Sequence, residues 1–344
     1  MKRNKWITRA GMTLLLVLAT GLALQGKVLA QQGPRITAAY RVSLPADPDD
    51  PAWTQVPATI VPLTAQTAIK PALAVAGIPS LQVRAITDGA AIAVLLEWRD
   101  STRDVNATLQ DRFRDAAAMQ FSVAGELPAI CMGVRGQMVN IWHWKADWQE
   151  DIDRGFRDVP DAFPNFYKDT YPLVDSRSGQ PPYRMPADFD TAEARQFIVG
   201  WNAGNLLSQP GKTSPVEDLN AAGFGTLTTK TKQLVQGKGA WTEGVWRTTF
   251  TRPLHVDDPD ATQLVPGQDS AVAFAVWDGS NQEVGARKQV STFLSLTVQR
   301  PEGPAPTVQL PVVLVGIGAL VLIFGTGAAA LRSVFPRLPP RMRD

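Results

Sequence analysis

Strict alternation of apolar and polar side chains constrains this chain more than any other feature. In LQVRAITDGAAIAVLLEW, residues 81 to 98, Leu81, Val83 and Ala85 fall on one face, Asp88-Gly89 interrupts the run, and Ile92, Val94, Leu96 and Trp98 resume it. A period of two sends successive side chains to opposite sides of a strand, so the stretch predicts a β-hairpin with one buried side. MVNIWHW is a further strand, with Trp142 and Trp144 on one face and Ile141, His143 and Lys145 on the other. GVWRTTFTRPL and SAVAFAVWDGS alternate in the same way and end in turn residues, and STFLSLTVQ closes the series. Short alternating strands between turns predict an all-β chain, a two-sheet antiparallel β-sandwich.

One segment departs from this rhythm. From Asp147 to Asp190 the chain has little periodicity, many Pro and Asp, and several aromatics. It predicts a long loop excursion from the sandwich, a place where function concentrates. DTAEARQFIVGWNAG, directly after it, predicts a short helix capped by Asp190 or Thr191.

Both ends point to a membrane. Lys2, Arg3, Lys5 and Arg9 precede or flank the apolar run GMTLLLVLATGLAL, and small residues in VLA precede Gln31, so residues 1–30 read as a secretory signal peptide. The charged region holds no Arg-Arg pair, which points to the general secretory route. Residues 31–300 then form the exported domain and residues 301–309 a Pro-rich stalk. Leu310 to Leu331 is a 22-residue run without a charge, long enough to cross a bilayer at ~1.5 Å per residue. Arg332, Arg337, Arg341 and Arg343 follow, so residues 332–344 are expected on the cytoplasmic side and the large domain on the periplasmic side of a single-pass protein.

The formal net charge of +2 hides the character of the exported part. Without the nine basic residues and one acid of the leader and tail, 25 basic and 31 acidic residues remain, a net charge of −6. A mildly acidic domain gives no footing for nucleic acid.

Several chemistries are excluded by count or spacing. Cys131 is the only cysteine, which rules out an internal disulfide, covalent haem attachment through CxxCH and cysteine-ligated iron–sulfur clusters. His143 and His255 are the only histidines, too few for a multi-histidine metal cage. SQPGKTS lacks the first glycine of a phosphate-binding loop, because Leu206 stands at that position. No G-x-S-x-G elbow occurs. The acids Asp147, Glu150, Asp151 and Asp153 lack the glycine and distal glutamate of a calcium loop, and read as solvated charges. What remains is a set of soft or neutral donors near aromatics: Met132, Met138, His143 and Lys288. Each has an ordinary structural reading, as core filler, edge residue or solvated charge.

An ordered set of short motifs shifts that balance. DPAW (50–53), DGAAIAVLLEWRD (88–100), DAAAMQF (115–121), MG (132–133), VNIWHWKAD (139–147), NAGN (202–205), GFGTLT (223–228), WTEGVWRTTFTRPL (241–254) and AFAVWDGSNQEVGARKQVS (273–291) run across nearly the whole exported domain. In this order they resemble the haem b-binding gamma subunit of ethylbenzene dehydrogenase and of related enzymes of the type II dimethyl-sulfoxide-reductase family, which act on selenate, chlorate, dimethylsulfide and nitrite. The resemblance implies noncovalent haem b held between Met132 of the MG element and Lys288 of the late G-x-x-K element. It implies an electron-transfer subunit, not itself the catalytic chain. Its partners would be an iron–sulfur beta subunit and a molybdenum-containing catalytic alpha subunit, with a quinone or cytochrome c as the external electron partner. Trp142 or Trp144 is expected to pack near the porphyrin, and Arg287 to favour the neutral amine of Lys288 or meet a propionate. His143, a common ligand type on a Trp-flanked strand, is the alternative ligand. The membrane helix is an addition to the soluble members' plan.

Two other readings compete at the level of sequence. One is an anchored ligand- or carbohydrate-binding β-sandwich without haem; the other is a stand-alone membrane-tethered b-type cytochrome.

Overall fold

The computed structural model describes residues 34–123, 132–157, 159–165, 199–209 and 211–301. The expected signal peptide, the transmembrane run at 310–331, the basic tail and most of the excursion and its following helix lie outside the described residues. Among the described residues no helix is long and apolar enough to cross a membrane.

The chain is mostly β. Its strands are β1 (Arg35–Tyr40), β2 (Thr59–Pro62), β3 (Thr64–Ala65), β4 (Ser80–Thr87), β5 (Ala91–Arg99), β6 (Ala116–Ser122), β7 (Val139–Lys145), β8 (Val216–Ala221), β9 (Thr228–Thr229), β10 (Gln236–Thr242), β11 (Val245–Pro253), β12 (Asp269–Trp277), β13 (Gln289–Val290) and β14 (Leu294–Val298). The Asp88-Gly89 turn joins β4 to β5, with Gly89 at φ 89° and Asp88 Oδ1 accepting from the amides of Ala90 and Ala91. Glu243-Gly244, both at positive φ, form the two-residue turn between β10 and β11.

The expected pair of separate antiparallel sheets is instead one continuous, mixed sheet. Its order is β10-β11-β5-β4-β1-β14-β12-β6-β7-β8-β9. The cause is β1, which lies between the two halves and pairs in parallel with both β4 and β14. Arg35 to Ala38 pair with β14 and Ala38 to Tyr40 with β4, so β1 passes from one half to the other and stitches them into one ladder.

The sheet nevertheless folds over a shared core. β4, β1, β14, β12 and β6 separate β5 from β7 along the ladder, yet the rings of Trp98 and Trp144 lie 6.1 Å apart. Trp144 also meets Trp246 of β11 at 4.9 Å, edge to face. Gly239 of β10 makes this packing possible, because a Cβ there would stand 2.3 Å from the Trp144 ring.

The β4–β5 hairpin is buried on both sides, not one. Leu81, Val83, Val94, Leu96 and Trp98 face the main core. On the reverse face, Ile86, Ala93 and Leu95 are covered by Trp53 and Val56. A short 3-10 turn over Pro51–Gln55, capped by Asp50, delivers that cover. The start of the excursion is likewise ordered, as helix α1 (Ala146–Arg154). α1 docks on β10 through Gln149, whose Oε1 accepts from the Gly239 amide at 2.7 Å.

Candidate functional site

The two faces of β6, β7 and β12 differ in side-chain volume. Towards the main core they carry Met119, Phe121, Trp142, Trp144, Phe274 and Val276. On the other face stand Ala116, Ala118, Ile141, Ala275 and Trp277, with Leu219 of β8 beside them. Register aligns Ala118 with His143 on one side and with Ala275 on the other. Small side chains on adjacent strands leave space above the sheet, and a cavity of about 1020 Å³ opens there. That is at the upper end of the ~300–1,000 Å³ usual for small-molecule sites. The segments around Gln66–Pro71, Leu109–Arg114, Phe224–Leu227 and Glu283–Lys288 wall it.

Met132, His143 and Lys288 all line this cavity. Met132 sits in the left-handed region at φ 73°, and Gly133 follows at φ 72°. Gly133 is required, since a Cβ would lie 2.5 Å from the Gln137 carbonyl oxygen. The Met132 amide donates to Gln120 Oε1 at 3.0 Å, and its carbonyl accepts from Gly223 at 2.8 Å. A bulky residue at positive φ is uncommon and persists only where neighbours enforce it. Here β6 and the loop after β8 do so.

Lys288 is held through its backbone. Its carbonyl accepts from the Gln66 amide at 2.9 Å, and the Gln66 side chain donates to Ala286 at 2.8 Å. Next in sequence, the buried Gln289 accepts from the amides of Gly77 and Ile78, each at 3.1 Å. Two buried glutamines thus pin the loop on both sides of Lys288.

Trp277 organises what lies between. Its indole nitrogen donates to the Gly285 carbonyl at 3.1 Å. Lys288 Nζ stands 4.7 Å from its ring centroid, and the His143 ring lies 4.8 Å away, tilted by 31°. Burial, then the charges of Lys145, Arg114 and Lys288, hold the His143 imidazolium pKa well below its ordinary value, so the ring is neutral. His143 Nε2 is buried and has no hydrogen-bond partner, a state that costs free energy unless a ligand relieves it.

The remaining expected site residues fall elsewhere. Trp142 and Trp144 are fully buried on the opposite face, in the main core, because alternation along β7 that brings His143 to the cavity turns both tryptophans away. Arg287 is partly buried next to Lys288, but its side chain does not line the cavity. Lys70, Arg112 and Arg114 supply the basic lining. Trp277 was missed by sequence reasoning; the signal was available, because it shares alternation with Ala273 and Ala275 at the end of SAVAFAVWDGS.

Chemically the cavity offers a thioether, a neutral imidazole, an amine and an apolar floor beneath a basic border. Such donors suit iron or copper rather than hard cations. An apolar ligand with anionic ends and a soft or borderline metal fits the set. Haem b has that character, and the orphaned His143 nitrogen is consistent with a site that holds a ligand.

A family described as ethylbenzene dehydrogenase matches residues 50–289. Among curated relatives, a respiratory nitrate reductase heme subunit of Haloferax mediterranei is 28% identical over 263 residues, 76% of this chain and 70% of that protein. The chlorate reductase subunit gamma of Ideonella dechloratans is 25% identical, covering 85% of this chain and 97% of its own length. The dimethylsulfide dehydrogenase subunit gamma of Rhodovulum sulfidophilum is 35% identical over 109 residues, 30% of this chain and 41% of that one. Among solved structures, a carbohydrate binding module of family 9 from Caldicellulosiruptor kristjanssonii, in complex with glucose, aligns with a TM-score of 0.35 at 11% identity, over 79% of this chain and 100% of the module.

Proposed function

Because this chain belongs to the ethylbenzene dehydrogenase family, we propose that it binds haem b noncovalently in the alanine-floored cavity and serves as the electron-transfer subunit of a molybdenum oxidoreductase complex. The observation that carries the reading is the convergence of Met132 and Lys288, far apart in sequence, on one cavity large enough for a macrocycle. Bound haem supplies a one-electron iron couple. Met132 would hold the iron through its thioether, a ligand that favours the reduced state. Lys288 would hold it through its amine. With both residues as ligands the haem would supply electron transfer and no substrate site, so in this reading the chain passes electrons and does not perform the complex's bond chemistry. The apolar floor would exclude water, and Arg112, Arg114 and Lys70, which line the cavity, would meet the propionates.

The relatives' names as gamma or heme subunits support further subunits of a reductase or dehydrogenase as partners; in this reading these are a catalytic molybdenum subunit and an iron–sulfur subunit. A quinone or cytochrome c is the external partner in this reading. The leader-like residues 1–30 and the uncharged run at 310–331 support, in this reading, a domain on the periplasmic side tethered to the cell membrane.

A second ligand set has its own observation. His143 is neutral, lines the same cavity and keeps an unpartnered buried Nε2, so it competes with Lys288 for the iron. Reduced-minus-oxidised spectra of the full chain, purified and saturated with haem, separate the two. Low-spin bands in the wild type and in His143→Ala, lost in Met132→Ala and Lys288→Ala, are the expected result. Loss in His143→Ala with retention in Lys288→Ala transfers the ligand role to His143. A folded, haem-saturated wild type without low-spin bands removes the electron-transfer reading.

A further inference from the structure

At one end of the sheet three aspartates from separate strands meet. Asp100 follows β5, Asp115 precedes β6 and Asp278 follows β12. One carboxylate oxygen of each lies within 4.8 Å of the others. We infer that Asp100, Asp115 and Asp278 bind a single divalent cation of the size of Ca²⁺.

The decisive observation is the state of Asp100. It is 6% exposed; its Oδ1 accepts from the amide and hydroxyl of Thr102, both at 3.1 Å, while Oδ2 is buried with no partner. The charges that bear on it, Asp278 and Asp104, are negative like its own. Asp115 is wholly buried. Its oxygens accept from Gly279 at 2.8 Å, Asp104 at 2.7 Å and Trp246 Nε1 at 2.9 Å. Asp104 adds a second buried oxygen without a partner, its own Oδ2. Without a cation, burial and then the Asp100 charge push Asp115 up to about 8, and burial pushes Asp100 up to about 6. Neutralising the cluster by protons leaves new O–H donors needing acceptors; a cation uses the oxygens as they stand.

The donors are all carboxylate oxygens, which select a hard cation. Mg²⁺ dehydrates reluctantly and keeps several waters, whereas Ca²⁺ accepts protein carboxylates in their place, so a carboxylate set with two of its members buried suits Ca²⁺. The ion ties together the roots of two cavity-wall segments, Asp104 to Asp115 and Asp278 to Lys288, and joins both to β5. None of this was visible in the sequence, because the three acids are far apart and only strand pairing gathers them.

The test uses the purified full chain stripped with a chelator. Tb³⁺ added to it is expected to emit on tryptophan excitation, sensitised by Trp246, and Ca²⁺ to quench that emission by displacement. Ca²⁺ is also expected to raise the Tm of the stripped protein, with Mg²⁺ at the same concentration raising it less. Asp278→Asn keeps an oxygen for the cap that now accepts from Asn281, and is expected to weaken Ca²⁺ binding about tenfold or more by removing a charged ligand. Asp260→Asn, at an exposed loop acid, is expected to bind as wild type. A stripped wild type that is folded by circular dichroism yet gives neither Tb³⁺ emission nor a Ca²⁺-dependent Tm overturns the inference. Wild-type affinity in Asp278→Asn, or an equal response to Mg²⁺, overturns the assignment of these ligands to a Ca²⁺-sized ion.

Discussion

Strands β6, β7 and β12 present two apolar faces that do opposite things. One carries Trp142, Trp144, Phe121 and Phe274 and is filled by the other half of the sheet. Its counterpart carries Ala116, Ala118 and Ala275 and is left open. The alanines of the second face contrast in volume with the aromatics of the first. The difference teaches that on a sheet buried from both sides, a binding site lies where side chains are small, while the largest aromatics mark where space is already occupied.

Substitutions that exchange volume between the faces test this most sharply. Trp144→Ala is expected to have the largest effect on stability, a loss of about 3–5 kcal/mol, measured by denaturant unfolding. The cavity face should be spared in that variant. A loss below about 1 kcal/mol would show that Trp144 does not hold the two halves together. Gly239→Ala comes next, because its Cβ would meet the same indole at 2.3 Å. Overpacking of this kind costs about 1–3 kcal/mol, and the double variant Gly239→Ala/Trp144→Ala should recover part of it, since the clash is gone.

On the open face, Gly133→Ala is expected to cost about 1–3 kcal/mol through its positive φ and its approach to Gln137. Because Gly133 fixes the turn beside Met132, this variant should also disturb haem binding, whereas Gly239→Ala should not. Equal effects of the two on haem binding would erase the contrast between the faces. The smallest stability change is expected for Ala118→Phe, within about 1 kcal/mol, because the new ring enters space and not a packed core.

Much of the fold was legible because alternation is a local signal. The hairpin from Leu81 to Trp98 and the division of β7 between Trp142/Trp144 and Ile141/His143 appear where the pattern puts them. The parallel insertion of β1 was not legible: RITAAY carries only Ile36 and Ala38 towards the core, and nothing in six residues specifies partners contributed from both ends of the chain. The cover over Ile86 and Leu95 was missed for a related reason, since Trp53 arrives on a 3-10 turn without strand periodicity.

The site was legible in part. Met132 and Lys288 were named through family resemblance, and the structure brings both to one cavity. The tryptophans of β7 lie in the main core, on the face opposite the cavity; they drew the reading because an aromatic stands out in sequence while an alanine does not. Trp277, which contacts both His143 and Lys288, was overlooked for want of any cue beyond its register with two alanines.

The most direct measurement is a haem titration of full-length Ala118→Phe beside wild type, followed at the Soret band with folding checked by circular dichroism. The account predicts saturable binding and low-spin spectra in the wild type, and loss of both in a variant that remains folded with near wild-type stability. Undiminished haem binding by folded Ala118→Phe would contradict it, because the haem would then lie somewhere other than over the alanine floor.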